Sequence, residues 1–324
     1  MGNKINHRCA VLGRPISHSL SPVLHNAAYK SLGLTDWHYT RVEVGEEDLA
    51  HFLQTLDSSW AGLSLTMPLK RTIQPYGTPC DTWSRRLLVA NTAVFDWSAE
   101  TTKPNIRLYN TDVEGIEQAF EHFWRISHCE ARNKSATDIG KQNGSANEHQ
   151  SAKAVILGNG NTALSAMAAC TEMTVPESGA IAKVTVCARH HHDNDPMKRL
   201  AESKPGLSYH QVPLLEATRH LVQADVVINT IPAHGADETA GRLEKIFTGV
   251  SPAPFHGTLL DVVYDPRPTR LMKIWLKGGG KVIGGEEMLL YQAIAQIRLM
   301  TVGAHIIGTA DFEQAMRSAL QEAL

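Results

Sequence analysis

The stretch Lys153-Ala-Val-Ile-Leu-Gly158-Asn-Gly160-Asn-Thr-Ala163, followed by Leu-Ser-Ala-Met-Ala-Ala, decides the fold. A short apolar run ends in two glycines one residue apart, and small, helix-compatible residues follow. Strand, tight turn and helix in that order form the first unit of a dinucleotide-binding fold. Gly158 would make the turn. Gly160, lacking a Cβ, would let the backbone approach a pyrophosphate, and Ala163 would let helix and strand pack closely. The helix N-terminus would turn N–H groups and a partial positive charge toward the phosphates. The same pattern also suits an ordinary glycine turn, so the flanking sequence has to decide.

Downstream, Lys183-Val-Thr-Val-Cys187 reads as the second strand of that unit and runs into Ala188-Arg189-His190-His-His-Asp193. The end of this strand chooses the cofactor: an acid bonds the 2′-hydroxyl of NAD, an arginine suits the 2′-phosphate of NADP. Arg189 stands where the acid would be. The three histidines do not read as a zinc site, because consecutive residues converge poorly on one ion and no cysteine has metal-site spacing. Leu207 to Val212, Asp225 to Ile228 and Thr258 to Val263 are further strands. The second runs into Asn229-Thr230-Ile231-Pro232-Ala233. Gly278 to Gly280 stop a helix, Lys281 to Ile283 form a brief strand, and an amphipathic helix follows from Gly285. On it Met288 and Gln292, four apart, share a face.

Upstream, Cys9 to Gly13 is a strand, and Ser21 and Pro22 open a helix, as N-cap and first residue, that runs to about Leu32. Ser17 and Ser19 precede it. They read either as loop residues capping their own helix, the simpler view, or as two hydroxyls facing one polar ligand. Trp37 to Val44 alternates like a strand, and Glu46 opens a helix ending near Leu56. Trp60 to Thr66 is a strand broken at Pro68, which puts Thr66 and Lys70 at a carboxyl strand end, where open α/β sheets bind ligands. Trp83 to Val89 is a helix and Ala90 to Phe95 a strand. Ile106 to Asp112 is a strand ending in polar groups, with Asp112 the expected N-cap of a helix from Val113 to about Trp124. Asn91 and Asn110 also lie near strand ends. Ser127 to Ser151, poor in large apolar residues, reads as an exposed, mobile insertion.

Composition narrows the classes. The 324 residues suggest two domains, 43% are hydrophobic and 20% charged, and the net charge is −2. Nothing there favours nucleic acid, and no apolar run spans a membrane. The first eight residues lack the apolar core of a signal peptide. The five cysteines are an odd set without a CxxC, which reads as reduced, mostly buried thiols of a cytoplasmic protein.

Four pieces come in an order that resembles the shikimate dehydrogenase family: Ser17-x-Ser19-x-Ser21-Pro22-x-x-His25-Asn26, Leu65-Thr66-Met67-Pro68-Leu69-Lys70, Asn91-Thr92 and Asn110-Thr111-Asp112. The glycine turn follows them. Asp261-x-x-Tyr264-x-Pro266-x-x-Thr269 and Gly285-x-x-Met288-Leu-x-x-Gln292-Ala293 also match patterns of that family. The resemblance implies an α/β fold of two domains. An N-terminal substrate-binding domain would take residues 1–112, and helices of 285–324 would return to it. A Rossmann-type doubly wound domain of 113–284 would bind NADP, with the insertion at about 127–151 and the cleft between the domains.

The implied activity is reversible NADPH-dependent reduction of 3-dehydroshikimate to shikimate, in the shikimate pathway to chorismate and the aromatic amino acids. Lys70 would be the general acid and base, held by Asp112. Ser17, Ser19, Thr66, Asn91, Tyr264 and Gln292 would bind substrate. Gly158, Asn159, Gly160, Asn161, Thr162, Ala163, Arg189, Thr230 and Gly285 would bind the cofactor. The small-molecule substrate is the one partner expected, without nucleic acid or membrane, for a monomer or homodimer. Three positions depart from the family: Asn161 replaces the third glycine of the turn, Leu88 replaces the glycine that precedes Ala-Val-Asn-Thr in many relatives, and an Asn-Arg-Thr triplet is reduced to Arg189. Two other readings stay open, an NAD-dependent quinate/shikimate dehydrogenase and a non-catalytic cofactor-binding regulator. The first would carry an acid at 189, and the second could lose Lys70 or Asp112. This chain does neither.

Overall fold

The computed structural model describes residues 5–98, 103–135, 151–190, 195–247, 255–302 and 309–324. The chain divides into two compact units, Met1–Gly115 with Leu289–Leu324, and Ile116–Met288. The expected boundaries at 112 and 285 lie a few residues away from these, and in both places the unit boundary falls inside a helix rather than at its start.

The first unit contains β1 (His7–Gly13), α1 (Ser21–Ser31), β2 (Trp37–Glu43), α2 (Leu49–Gln54), β3 (Trp60–Leu65), α3 (Leu69–Thr72), β4 (Thr78–Pro79), α4 (Thr82–Leu87), β5 (Thr92–Asp96) and β6 (Asn105–Tyr109), and the start of α5 (Thr111–Ser135). Its six strands are ordered β2-β1-β3-β5-β6-β4. Strands β2, β1 and β3 run parallel. Strand β5 is antiparallel to both β3 and β6. Central β1 is buried from Cys9 to Gly13, as a strand covered on both faces must be, whereas edge strand β2 is half-buried or exposed apart from Tyr39. Leu12, Leu63, Leu65, Leu69, Ala93 and Leu108 form one core cluster.

The second unit contains β7 (Ala152–Leu157), α6 (Asn161–Glu172), β8 (Thr174–Val175), β9 (Gly179–Ala188), α7 (Asp195–Glu202), β10 (Ser208–Pro213), α8 (Ala217–Leu221), β11 (Val226–Asn229), α9 (Asp237–Phe247), β12 (Thr258–Asp261), α10 (Arg270–Lys277) and β13 (Lys281–Gly284). The order β10-β9-β7-β11-β12-β13, parallel throughout with β8 appended antiparallel to β9, is the doubly wound nucleotide-binding arrangement. Its strand order reverses between β7 and β11, where such sheets bind ligands. Trp275 and Phe255 stack with ring centroids 4.4 Å apart and close the core beneath β12. Two last helices, α11 (Gly285–Met300) and α12 (Thr309–Ala323), carry the chain into the first unit, where α12 packs on α1.

Several expectations need correction. Ser21 does not cap α1 but is its first residue: Leu20 stands at the cap position without a side-chain cap bond, and the Ser21 N–H donates to Ser19 Oγ at 3.3 Å. Helix α2 begins at Leu49, not Glu46. Asp112 is not the N-cap of α5: Asn110 is, its Oδ1 accepting the Asp112 N–H at 3.1 Å. That frees the Asp112 carboxylate for other partners. Helix α5 continues to Ser135, so 127–135 of the expected insertion is helical, while 136–150 lies outside the described residues, as do His191 to Asp193. All five cysteines are free; Cys9, Cys170 and Cys187 are buried, Cys129 exposed. Among the described residues, no helix is long and apolar enough to cross a membrane.

Candidate active site

In the first unit, strand direction assembles the site. Parallel β1 and β3 end at the same edge, so the Ser17–Ser21 loop and the Thr66–Lys70 segment leave the sheet side by side. A Cβ on Gly13 would lie 2.4 Å from the Thr66 methyl, which is why the neighbouring strand end needs glycine. Antiparallel β5 starts where β3 ends, with Ser64 opposite Thr92. Antiparallel β6 ends where β5 starts, with Thr92 opposite Tyr109. One sheet edge thus receives the end of β3, the beginning of β5 and the end of β6. Lys70, Asn91 and Asp112, far apart in sequence, follow directly from those three ends.

Lys70 sits on α3, is buried, and is not a solvated loop lysine. Its Nζ donates to Asp112 Oδ2 at 2.5 Å, with side chains only 11% and 6% exposed. An exposed ion pair is worth little; one taken out of water is costly to break, because the remaining charge is stranded. Asn91 Nδ2 donates to the other carboxylate oxygen at 2.7 Å and to Thr111 Oγ1 at 2.9 Å. The Thr111 N–H returns a bond to Asn91 Oδ1 at 2.8 Å, which fixes the amide orientation. Gln292, on α11, lies 3.4 Å from Asn91 Nδ2 through its Oε1 and anchors its own amide on the Leu289 carbonyl. Four of the expected residues therefore meet: Lys70, Asp112, Asn91 and Gln292.

Thr66 is half-buried one strand position before the turn, with its backbone bonded to Leu12. Ser17 is exposed, its carbonyl accepting from Arg41, and Ser19 is buried. The assignment of both serines to substrate rests on the shared sheet edge. His25 and Asn26 of the same sequence motif are structural. Asn26 clamps both polar backbone groups of Tyr39, at 2.8 Å and 3.0 Å, and His25 stacks on the Tyr39 ring at 3.8 Å. Burial holds the His25 imidazole down at about 4.

In the second unit, Gly158 ends β7 with φ +100°, and a Cβ there would meet Thr230 Oγ1 at 2.5 Å. Thr230 donates that hydroxyl to the Leu157 carbonyl at 2.7 Å, tying β7 to β11 at the reversal of strand order. Around Gly160 nothing lies within 4 Å of a built Cβ. Helix α6 starts at Asn161 with Gly160 at its cap position, and carries Thr162 and the buried Ala163 in its first turn. An open approach at Gly160 to a helix start suits a pyrophosphate. Asn159 Nδ2 donates to the His190 carbonyl at 2.8 Å and so braces the loop that carries Arg189. Arg189 is exposed just past β9, with no acid beside it in sequence, in keeping with a 2′-phosphate.

Asp261, buried, accepts from Asn229 Nδ2 at 2.9 Å, Thr269 Oγ1 at 2.7 Å and the Val263 N–H at 3.2 Å. Burial still raises its carboxyl above the usual range. This network explains the Asp261-to-Thr269 spacing: it closes the loop that presents the half-buried Tyr264. Gly285 packs on the Val262 carbonyl, 2.4 Å from where a Cβ would be, so it is required for helix–strand approach. Arg267 pairs with the buried Glu286 at 2.6 Å and joins the Tyr264 loop to the start of α11.

Residues 11–93 match the family model described as the shikimate dehydrogenase substrate binding domain. The chain is 30% identical over 298 residues to the shikimate dehydrogenase (NADP(+)) of Methanosarcina mazei, covering 90% of this chain and 91% of that one. The crystal structure of Mycobacterium tuberculosis shikimate dehydrogenase superposes with a TM-score of 0.72 at 29% identity, covering 98% and 99% of the two chains. That of the Thermus thermophilus shikimate 5-dehydrogenase in complex with NADP(H) and shikimate gives 0.64 at 25% identity, covering 97% and 99%.

Proposed function

The chain belongs to the shikimate dehydrogenase family, and from that membership we propose that it catalyses the reversible NADPH-dependent reduction of 3-dehydroshikimate to shikimate, with Lys70 as general acid and base. The observation that carries the assignment is the buried Lys70–Asp112 pair, built where three strand ends converge. We assign the substrate to the first unit and NADP to the second, and the soluble cytoplasm as the compartment, which suits five unpaired thiols.

NADPH supplies the hydride. The chain manages the proton. As the substrate carbonyl becomes an alkoxide, the Lys70 ammonium stabilises the developing charge and gives its proton to that oxygen. The neutral amine then regains a proton from water. In the reverse direction the amine takes the hydroxyl proton. Asp112 holds the ammonium on one carboxylate oxygen while Asn91 occupies the other, so the lysine keeps one direction. Asn91 and Gln292 would bond substrate hydroxyls, and Thr66, Ser17 and Ser19 of the same unit would complete the set. Gly160 and the start of α6 would take the pyrophosphate, with Thr162 in its first turn and Thr230 holding the strand ends together. Arg189 would take the 2′-phosphate.

The test is absorbance at the nicotinamide band with NADPH and 3-dehydroshikimate, repeated with NADH, and with quinate in the oxidative direction. Lys70→Ala is expected to lower kcat by about 10²–10⁴-fold, with a much smaller change in KM for shikimate. Near wild-type turnover in that variant removes Lys70 from the mechanism.

A further inference from the structure

Behind Asn91 a chain of buried side chains runs into the core of the first unit. Tyr39 Oη donates to Ser64 Oγ at 2.6 Å, and Ser64 Oγ donates to Gln296 Oε1 at 2.7 Å. Gln296 Nε2 donates to Thr92 Oγ1 at 3.2 Å, and Thr92 Oγ1 donates to Asn91 Oδ1 at 3.0 Å. Asn91 Nδ2 then donates to Asp112 at 2.7 Å. All six residues are buried.

The direction of this chain is forced at two points. The Thr111 N–H can only donate, so Asn91 must turn its oxygen to it and its Nδ2 to Asp112. The Asn91 carbonyl can only accept, and it lies 3.5 Å from Gln296 Nε2, so Gln296 must turn its oxygen to Ser64. Ser64 then has to donate to Gln296, which leaves its lone pairs for the Tyr39 hydroxyl. Every bond therefore donates toward the Asp112 carboxylate, and successive bonds in one direction polarise one another in a low-dielectric interior.

We propose that Gln296 is a positioning residue for the reaction: it joins the Tyr39 hydroxyl to Asn91 and so fixes Asp112, and through it the Lys70 ammonium, in the reactive geometry. The inference rests on the reading of Lys70 and Asp112 as the catalytic pair. Gln296 touches neither lysine nor carboxylate. Its side chain is one turn from Gln292 on α11, so one helix would serve substrate and catalyst together.

The experiment measures kcat and KM for shikimate with NADP, with a thermal melt for each protein. Gln296→Met keeps length and volume but removes donor and acceptor. It is expected to lower kcat about tenfold while KM changes less than about twofold, because misdirection of the acid costs turnover rather than binding. Tyr39→Phe, at the far end, is expected to lower kcat about two- to threefold. In the Gln296→Met background Tyr39→Phe is expected to cost nothing more, since the chain is already cut; two residues acting independently would lose activity additively, and a merely structural pair would lower the melting temperature without lowering kcat at unchanged KM. Wild-type kcat in Gln296→Met, or full additivity in the double variant, overturns the inference. Should Gln296→Met not fold, Tyr39→Phe decides alone: lower kcat at unchanged KM supports the inference, and wild-type kcat overturns it. Lys70→Ala, measured alongside, separates the two readings. If it retains turnover the catalytic assignment itself falls, and if it is inactive while the Gln296 and Tyr39 variants are normal, only the positioning role falls.

Discussion

The two glycines of the nucleotide turn ought to fail in different ways when given a methyl group. At Gly160 the backbone is extended, with φ −81°, and a built Cβ meets nothing within 4 Å. Alanine there meets no clash and no backbone strain. It loses a little as a helix N-cap and gains a little by restricting the unfolded chain, so stability should stay within about 0.5 kcal/mol of wild type. Binding should not be spared. The new methyl occupies the space through which a pyrophosphate would approach the start of α6, and losing one or two charged hydrogen bonds there costs about 1.4–2.8 kcal/mol, or ten- to a hundredfold in KM for NADPH.

Gly158 differs on every count. Its φ of +100° strains an alanine by about 1–3 kcal/mol. Its Cβ would press on Thr230 Oγ1 at 2.5 Å and expel the hydroxyl from the Leu157 carbonyl, about 1 kcal/mol more. Gly158→Ala should therefore lose about 2–4 kcal/mol in urea unfolding of the ligand-free protein, as well as NADPH affinity. Adding Thr230→Ala should recover part of the stability, because the collision is gone while the strain remains. Urea unfolding and NADPH titration of the variants check this. A Gly160→Ala protein with unchanged KM for NADPH would refute the reading of that space as the phosphate approach, and a stable Gly158→Ala protein would refute the steric argument.

Three further outcomes follow from single positions. Arg189→Glu should lower kcat/KM for NADPH by about tenfold or more and raise that for NADH, since the acid now suits a 2′-hydroxyl; steady-state kinetics with both cofactors show it, and an unchanged preference removes Arg189 from cofactor choice. Leu88, 57% exposed, closes α4 in the left-handed region at φ +52°, so Leu88→Gly should stabilise by about 0.5–1 kcal/mol, read as a rise of roughly 1–2 °C in Tm. A lower Tm would mean that the exposed side chain contributes more than the strain costs. His25 titrates near 4 in the folded chain, below its ordinary 6.5, so the unfolded chain binds the extra proton first. Stability is full above pH 6.5 and falls as pH drops toward 4, by about 3 kcal/mol in all at 1.36 kcal/mol per unit. Urea midpoints measured from pH 7 to pH 4 should show that slope in the wild type and lose it in His25→Asn.

Much of the framework was legible in the order of residues. Local patterns survive unfolding: the apolar run before Gly158, the small residues after it and the arginine closing the next strand all report on neighbours within a few positions. The strands and first helix of the nucleotide unit are legible for that reason, with the largest end error at β9, which begins at Gly179 and not Lys183. Errors grew where the deciding partner was close but several groups competed. Asn110 rather than Asp112 caps α5, because either side chain can reach an open N–H and only the backbone path selects one; at α1 Ser21 falls inside the first turn and Leu20 takes the cap position. The helical extension to Ser135 was missed because a polar composition does not forbid a helix.

The sequence by itself determined the strand–turn–helix unit, the likeness to a family, and the identities of a lysine and an aspartate suited to proton transfer. Tertiary structure alone decided that they meet. Pairing β5 antiparallel between β3 and β6 brings three strand ends to one edge, and no local signal sets a strand's direction in its sheet. It decided the buried relay as well: Ser64 and Gln296 bond across 232 positions of chain, and a glutamine on a helix shows its partner only once the helix has packed.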